Sequence, residues 1–301
     1  MRHPFLNPLE YSRHSKLQYD FAHTMLRACE IKPTDRILDI GCGDGKITAD
    51  IAEIVKNGQV IGTDISQQMI HFATRAHTPR YGNLGFMVMN AELNVFRKQF
   101  DVVTSFCCLH WVRKQSDALK GIQLALVENG KALLLVPLRH QELYSAIEAV
   151  VDSKPWSPFF AGFTNPHMFF SRAQYKKLLL DSGMSPQTLD ETTMQYTLRT
   201  KLEFEMFLKA WLPHIKMIPE SLQNKFMDDI GNKYIESNPD FASDAGIGLP
   251  LRMLKVQAIK LAPCLSARQG LFSDKEHTLI EKNTNQSNNS PTTLVRLTSK
   301  L

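Results

Sequence analysis

The stretch ILDIGCGDGKIT, residues 37–48, decides the fold. An apolar run closes on an acid, three glycines follow at alternate positions, and an apolar helical face begins at once. Gly41, Gly43 and Gly45 let the backbone turn sharply and come close to a ligand. A dinucleotide fingerprint needs a further glycine at position 46, where Lys46 stands. Asp39 and Asp44 would also repel a pyrophosphate. The turn instead suits a ligand with an ammonium or sulfonium group.

The next unit supplies the other half of the ligand. KITADIAEIVK sets Ile47, Ile51, Ile54 and Val55 on one helical face, and QVIGTDI (59–65) is a second strand carrying Asp64 at its end. An acid there can accept hydrogen bonds from both hydroxyls of a ribose. A ligand with a ribose, an amino-acid end and no phosphate is S-adenosylmethionine.

Outward from this pair the alternation continues. SQQMIHFATRAH is a helix capped by Ser66, LGFMVMNA (84–91) a third strand, and FDVVTSFCC (100–108) a fourth. ALKGIQLALVENG is expected as a helix ended by Gly130, followed by a fifth strand, KALLLVPL. Residues 15–30 are expected as one helix before the first strand. The pattern predicts an α/β fold: a doubly wound, Rossmann-like, seven-stranded sheet with helices on both faces and a helical insertion or lid. Helix 171–184 with Ser171 as cap, a strand QTLDETTMQYTL, helices over 201–238 broken at Pro213 and Pro219, and a last strand over 249–261 complete it. The expected division is one domain over 1–262, with a lid helix in 1–30, a cofactor-binding core in 35–140 and substrate-side insertions in 141–240. Residues 265–301, rich in Asn, Ser and Thr, are expected as a disordered tail.

The 301 residues carry 43% hydrophobic and 22% charged side chains and a net charge of +5 spread along the chain, so no nucleic-acid partner is expected. The longest apolar run, about seven residues around ALLLVPL, is far below the roughly 20 of a membrane span. The N-terminal MRHPFLNPLEYSRH lacks the apolar core of a secretory signal. Five cysteines without a CxxC pair fit a reducing, cytoplasmic setting and no metal site.

ILDIGCGDG, the acid of VIGTDIS, NAE after the third strand and FDVVTSFCCLHWV at the fourth resemble the ordered motifs of class I S-adenosylmethionine-dependent methyltransferases. The resemblance implies that Asp39, Gly41 and Gly43 surround the methionine moiety and Asp64 holds the ribose. It places Ile65 and Met69 beside the adenine, with Asn90 and Ala91 where the family often has an acid facing the adenine amino group. Cys107 would lie beside the sulfonium or serve as a small core residue. YSRHSKLQYDF (11–21), LHWV (109–112) and KPWSPFF (154–160) further resemble the small-molecule carboxyl methyltransferases of the juvenile hormone acid and trans-aconitate type.

That likeness implies O-methylation of a small organic or fatty acid. Gln18, His110 and Trp111 are the candidate catalytic donors, since an amide, an imidazole and an indole can each offer a hydrogen bond. Tyr19 and Trp156 are candidate acceptor-binding residues. Two alternatives stay open: an amine, hydroxyl or ring carbon as acceptor with His110 as base, or a cofactor-binding protein without turnover that engages a protein partner.

Overall fold

A computed structural model describes residues 8–261. The predicted tail at 265–301 and Cys264 lie outside the described residues. Among the described residues eight strands form one sheet: β1 (Arg36–Ile40), β2 (Gln59–Asp64), β3 (Leu84–Val88), β4 (Phe100–Phe106), β5 (Leu126–Pro137), β6 (Met184–Leu198), β7 (Ala242–Ser243) and β8 (Gly246–Lys260). Seven lie along the path β3-β2-β1-β4-β5-β8-β6, and the two-residue β7 pairs with β8 off that path. β1 to β5 are mutually parallel, whereas β8 runs antiparallel to both β5 and β6. The expected sheet is therefore mixed at one edge and parallel where the glycine turn sits.

Side chains that alternate along one strand are buried on both faces, which is what double winding demands. Leu38, Leu134 and Val136 point into one core with Leu119, Ile122 and Leu179, from α5 (Gln115–Ala125) and α7 (Arg172–Asp181). Ile37, Leu133 and Leu135 point into the other with Phe21, Met25 and Ile51, from α2 (Lys16–Ala28) and α3 (Lys46–Ile54). A third apolar cluster joins α6 (Gln141–Val151), α8 (Lys201–Trp211) and α9 (Glu220–Ser237) around Phe204, Phe226 and Tyr234. The remaining helices are α1 (Pro8–His14) and α4 (Gln67–His77).

One boundary differs from the sequence reading, and one helix adds to it. The helix expected to run to Gly130 stops at Ala125, because Lys98 and Gln99 N–H groups take the carbonyls of Leu124 and Ala125. The chain then becomes β5 at the fully buried Leu126, and the ladder with β4 slips between Phe100↔Leu126 and Val102↔Lys131. Lys260 Nζ donates to Leu126 O at 2.7 Å and fastens that bulge. The helix expected over 15–30 is α2 (Lys16–Ala28), and a further short helix, α1 (Pro8–His14), precedes it across the buried Ser15.

Candidate active site

The turn between β1 and α3 holds Gly41, Gly43 and Gly45 at φ of 76°, 55° and 78°. A side chain at Gly41 would overlap Cys108, and a Cβ on Gly43 would sit 3.2 Å from the Tyr11 ring. The turn is pinned by Gly41 and Cys42 N–H groups, which donate to Thr63 O at 2.7 and 2.9 Å. Asp64 ties the tips of β1 and β2 together: Oδ2 accepts from Gly43 N–H at 3.1 Å and Oδ1 from Ser66 N–H at 2.8 Å. Each carboxylate oxygen keeps lone-pair capacity for one ribose hydroxyl.

The acids of the turn divide their work differently from the sequence reading. Asp39, 3% exposed, has both oxygens committed, to Thr48 Oγ1 at 2.6 Å and Thr104 Oγ1 at 2.7 Å. Burial raises its pKa, and the two hydroxyls oppose the rise. Asp44 Oδ1 accepts from Lys46 N–H, while Oδ2 is buried with no hydrogen-bond partner. Both acids line a cavity with Gln18, Tyr11 and Gly41. An unmatched buried carboxylate oxygen beside a bare glycine backbone fits the ammonium end of S-adenosylmethionine. Asp44 is thus a functional candidate that the motif contained but the sequence reading did not select.

Around the second strand's tip, Ile65 is 43% exposed and Met69 is 2% exposed, so only Ile65 presents its side chain to the surface. Asn90 Oδ1 accepts from Glu92 N–H at 3.0 Å and caps a short 3-10 turn, which leaves it one lone pair. Ala91 packs into the core. Tyr19 lines the cavity of the glycine turn, with Lys46 Nζ 5.9 Å from its ring centre.

A second cavity, about 790 Å³ with its mouth, shares Tyr11 and Gln18 with the first. Cys107, His110 and Trp111 form part of its wall, joined by Tyr144, His167 and Trp211. Cys107, the residue after β4, lies in the left-handed region at φ 55°, a conformation that costs a non-glycine residue about 1–2 kcal/mol. Burial pushes its thiol up to about 12, so it stands as a neutral thiol and not as a competing nucleophile. His110 is buried, its ring against His167 at 5.2 Å and stacked on Phe169 at 6.3 Å. Gln18 Oε1 is buried without a partner. Among the described residues lining this cavity none is Asp, Glu or Lys, and the one guanidinium, Arg252, is held by Glu191 at 2.9 Å.

The structure thus brings Gln18, His110, Trp111 and Cys107 together on one cavity. It moves Tyr19 from the acceptor side to the glycine-turn side. It also corrects Trp156, which is no wall of either cavity: 3% exposed, it packs on Phe226 at 5.0 Å and donates its indole N–H to Asp229 Oδ2 at 2.8 Å. Tyr144, His167 and Trp211 went unseen in the sequence, since no spacing rule links side chains so far apart along the chain.

Comparison with known proteins agrees with this geometry. A methyltransferase-domain family model matches residues 37–130. The chain is 29% identical over 215 residues to juvenile hormone acid O-methyltransferase of Drosophila melanogaster, covering 68% of this chain and 72% of that protein. It is 31% identical over 139 residues to trans-aconitate 2-methyltransferase of Streptomyces avermitilis, covering 44% and 51%. Among solved structures, a phosphoethanolamine N-methyltransferase of Haemonchus contortus, in complex with S-adenosylhomocysteine, superposes with a TM-score of 0.55 at 18% identity over 85% of this chain and 57% of that one. The methyltransferase-domain match over residues 37–130, together with the glycine turn and the acid at the tip of β2, marks the chain as an S-adenosylmethionine-dependent methyltransferase.

Proposed function

We propose that the protein O-methylates the carboxylate of a small organic or fatty acid. The observation that carries this reading is the second cavity: apolar over Leu138, Leu143, Phe169 and Leu251, furnished with neutral hydrogen-bonding groups, and continuous in its wall with the glycine-turn cavity through Tyr11 and Gln18. The names of the two curated relatives, an acid O-methyltransferase and a trans-aconitate methyltransferase, support the same acceptor class.

S-adenosylmethionine supplies an electrophilic methyl group on a sulfonium. A carboxylic acid of pKa about 4–5 is already ionised at neutral pH, so no side chain has to remove a proton. What the protein must do is place one carboxylate oxygen about 3 Å from the methyl carbon and keep water out. Gln18, on α2, and Trp111, on the turn after β4, stand at the edge of the acceptor cavity to orient that oxygen. A tight arginine clamp would stabilise the resting carboxylate and blunt its attack. The pairing of Arg252 with Glu191 tempers that pull. His110, enclosed by rings, serves as packing and not as a base.

The test is methyl transfer to a panel of acids, amines and alcohols, with products identified by mass spectrometry. Base-labile methyl esters are expected. Methylated amines or ethers, with no ester formed, would overturn the proposal.

A further inference from the structure

A hydrogen-bonded chain of Asn165, Tyr144 and His167 runs through the wall of the second cavity. Asn165 Oδ1 accepts from the backbone N–H of His167 at 3.0 Å, so its NH2 is the end that meets the Tyr144 hydroxyl. Tyr144 Oη lies 2.7 Å from His167 Nδ1. With its oxygen accepting from the Asn165 amide, the phenol donates its own proton to Nδ1. The imidazole proton then resides on Nε2. His167 is 7% exposed, and that Nε2 is buried with no hydrogen-bond partner.

Trp211 Nε1 is a second buried donor without a partner, on the same wall, its ring 6.0 Å from His167. The Trp111 ring meets His167 edge-on at 4.0 Å on the same wall. Buried N–H groups left unmatched are costly, so two of them on residues that line one cavity imply an oxygen that arrives with the ligand.

We infer that His167 Nε2–H and Trp211 Nε1–H bind the carboxylate of the methyl acceptor, and that Tyr144 and Asn165 are positioning residues that fix the imidazole tautomer. The inference rests on the carboxylate reading above. The pair offers two donors without a full positive charge, which holds the carboxylate and leaves it reactive. Burial, with His110 and His214 adding like-charge repulsion, lowers the His167 pKa to about 2, so the ring stays neutral at working pH.

The experiment uses the full-length protein with aconitate, cinnamate and dodecanoate as probe acids. For whichever acid is esterified, His167→Leu is expected to raise KM tenfold or more, with a smaller change in kcat and unchanged cofactor affinity. His167→Gln, whose amide N–H falls near the Nε2 position, should recover most of that loss, and Tyr144→Phe should lie between. An unchanged KM in His167→Leu overturns the inference and leaves carboxyl methylation standing. So does a parallel loss of KM, kcat, cofactor affinity and melting temperature, the mark of a purely structural role. No ester from the wild type with any acid overturns the carboxylate reading instead.

A second measurement needs no turnover and no folded leucine variant. Imidazole ¹⁵N spectra of the wild type, assigned by the signal lost in His167→Gln, should show a neutral Nε2–H ring. With S-adenosylhomocysteine present, that signal should move on addition of a probe acid. An Nδ1–H ring, or an Nε2–H signal that none of the three acids moves, overturns the inference.

Discussion

Around the glycine turn the carboxylates come from two consecutive strand-turn-helix units, Asp39 and Asp44 on the cavity and Asp64 at the tip of β2, where backbone N–H groups hold it in place. In the acceptor cavity, Gln18, Trp111, His167, Trp211 and Arg252 arrive from five separate segments. The first is a local, backbone-built site, so a short motif encodes it. The second exists only after the sheet and the α6, α8 and α9 cluster have assembled. Damage to the first should therefore be large and confined to the cofactor, and damage to the second graded and confined to the acceptor.

The largest effect is expected at Gly41. Gly41→Val forces a side chain into Cys108 at a positive φ, and should abolish measurable cofactor binding by calorimetry. Gly82→Val, a control at a glycine with open space around it, should bind normally. Asp64→Ala comes next: losing two ribose hydrogen bonds of charge-assisted strength should cost about 2–4 kcal/mol, a fall in affinity well over tenfold. The acceptor KM at saturating cofactor should not change. A shifted KM would break the separation of the two sites.

Gln18→Ala tests the boundary between them. The rate of methyl transfer should fall about 10–100-fold through misplacement of the attacking oxygen. Trp156→Phe should leave kinetics intact and cost about 1–2 kcal/mol of stability through the lost bond to Asp229, as measured by chemical denaturation. A changed acceptor KM in that variant would restore Trp156 to the site.

The smallest effect concerns pH. If no base is needed, the rate should be flat from about 6 to 8, and His110→Ala should keep it flat. A climb near neutrality that vanishes in His110→Ala would favour a hydroxyl or amine acceptor. Stability should behave otherwise. Burial holds His167 at about 2 and His214 at about 4, below the ordinary unfolded value of about 6.5. The unfolded chain takes up protons first, so stability is complete above about 6.5 and falls as pH drops toward 4. Melting curves over that window check it.

The same contrast explains what could be read in advance. β1, β2 and Asp64 were legible because burial on both faces and a glycine turn leave marks within a dozen residues. The start of β5 was not, because ALKGIQLALVENG keeps helical spacing through Gly130, while the strand is imposed by its partner Phe100 and by the N–H groups of Lys98 and Gln99. Trp156 misled because an aromatic run beside the insertion looks alike whether it faces a cavity or α9. His167 was invisible because its role depends on Tyr144 and Asn165, which meet it only in the folded state.

Tyr11 and Gln18 belong to both cavities, and this makes the two ligands thermodynamically linked. Whichever molecule enters first settles the rotamers of these two side chains and meets the ordering cost for both. The second then binds to a wall already set, and its affinity rises by a factor that the first must share in return. Titrating S-adenosylhomocysteine with and without acid, and acid with and without S-adenosylhomocysteine, should give the same ratio. Ester product, lacking the charge that holds its parent, would loosen that linkage and favour its own departure.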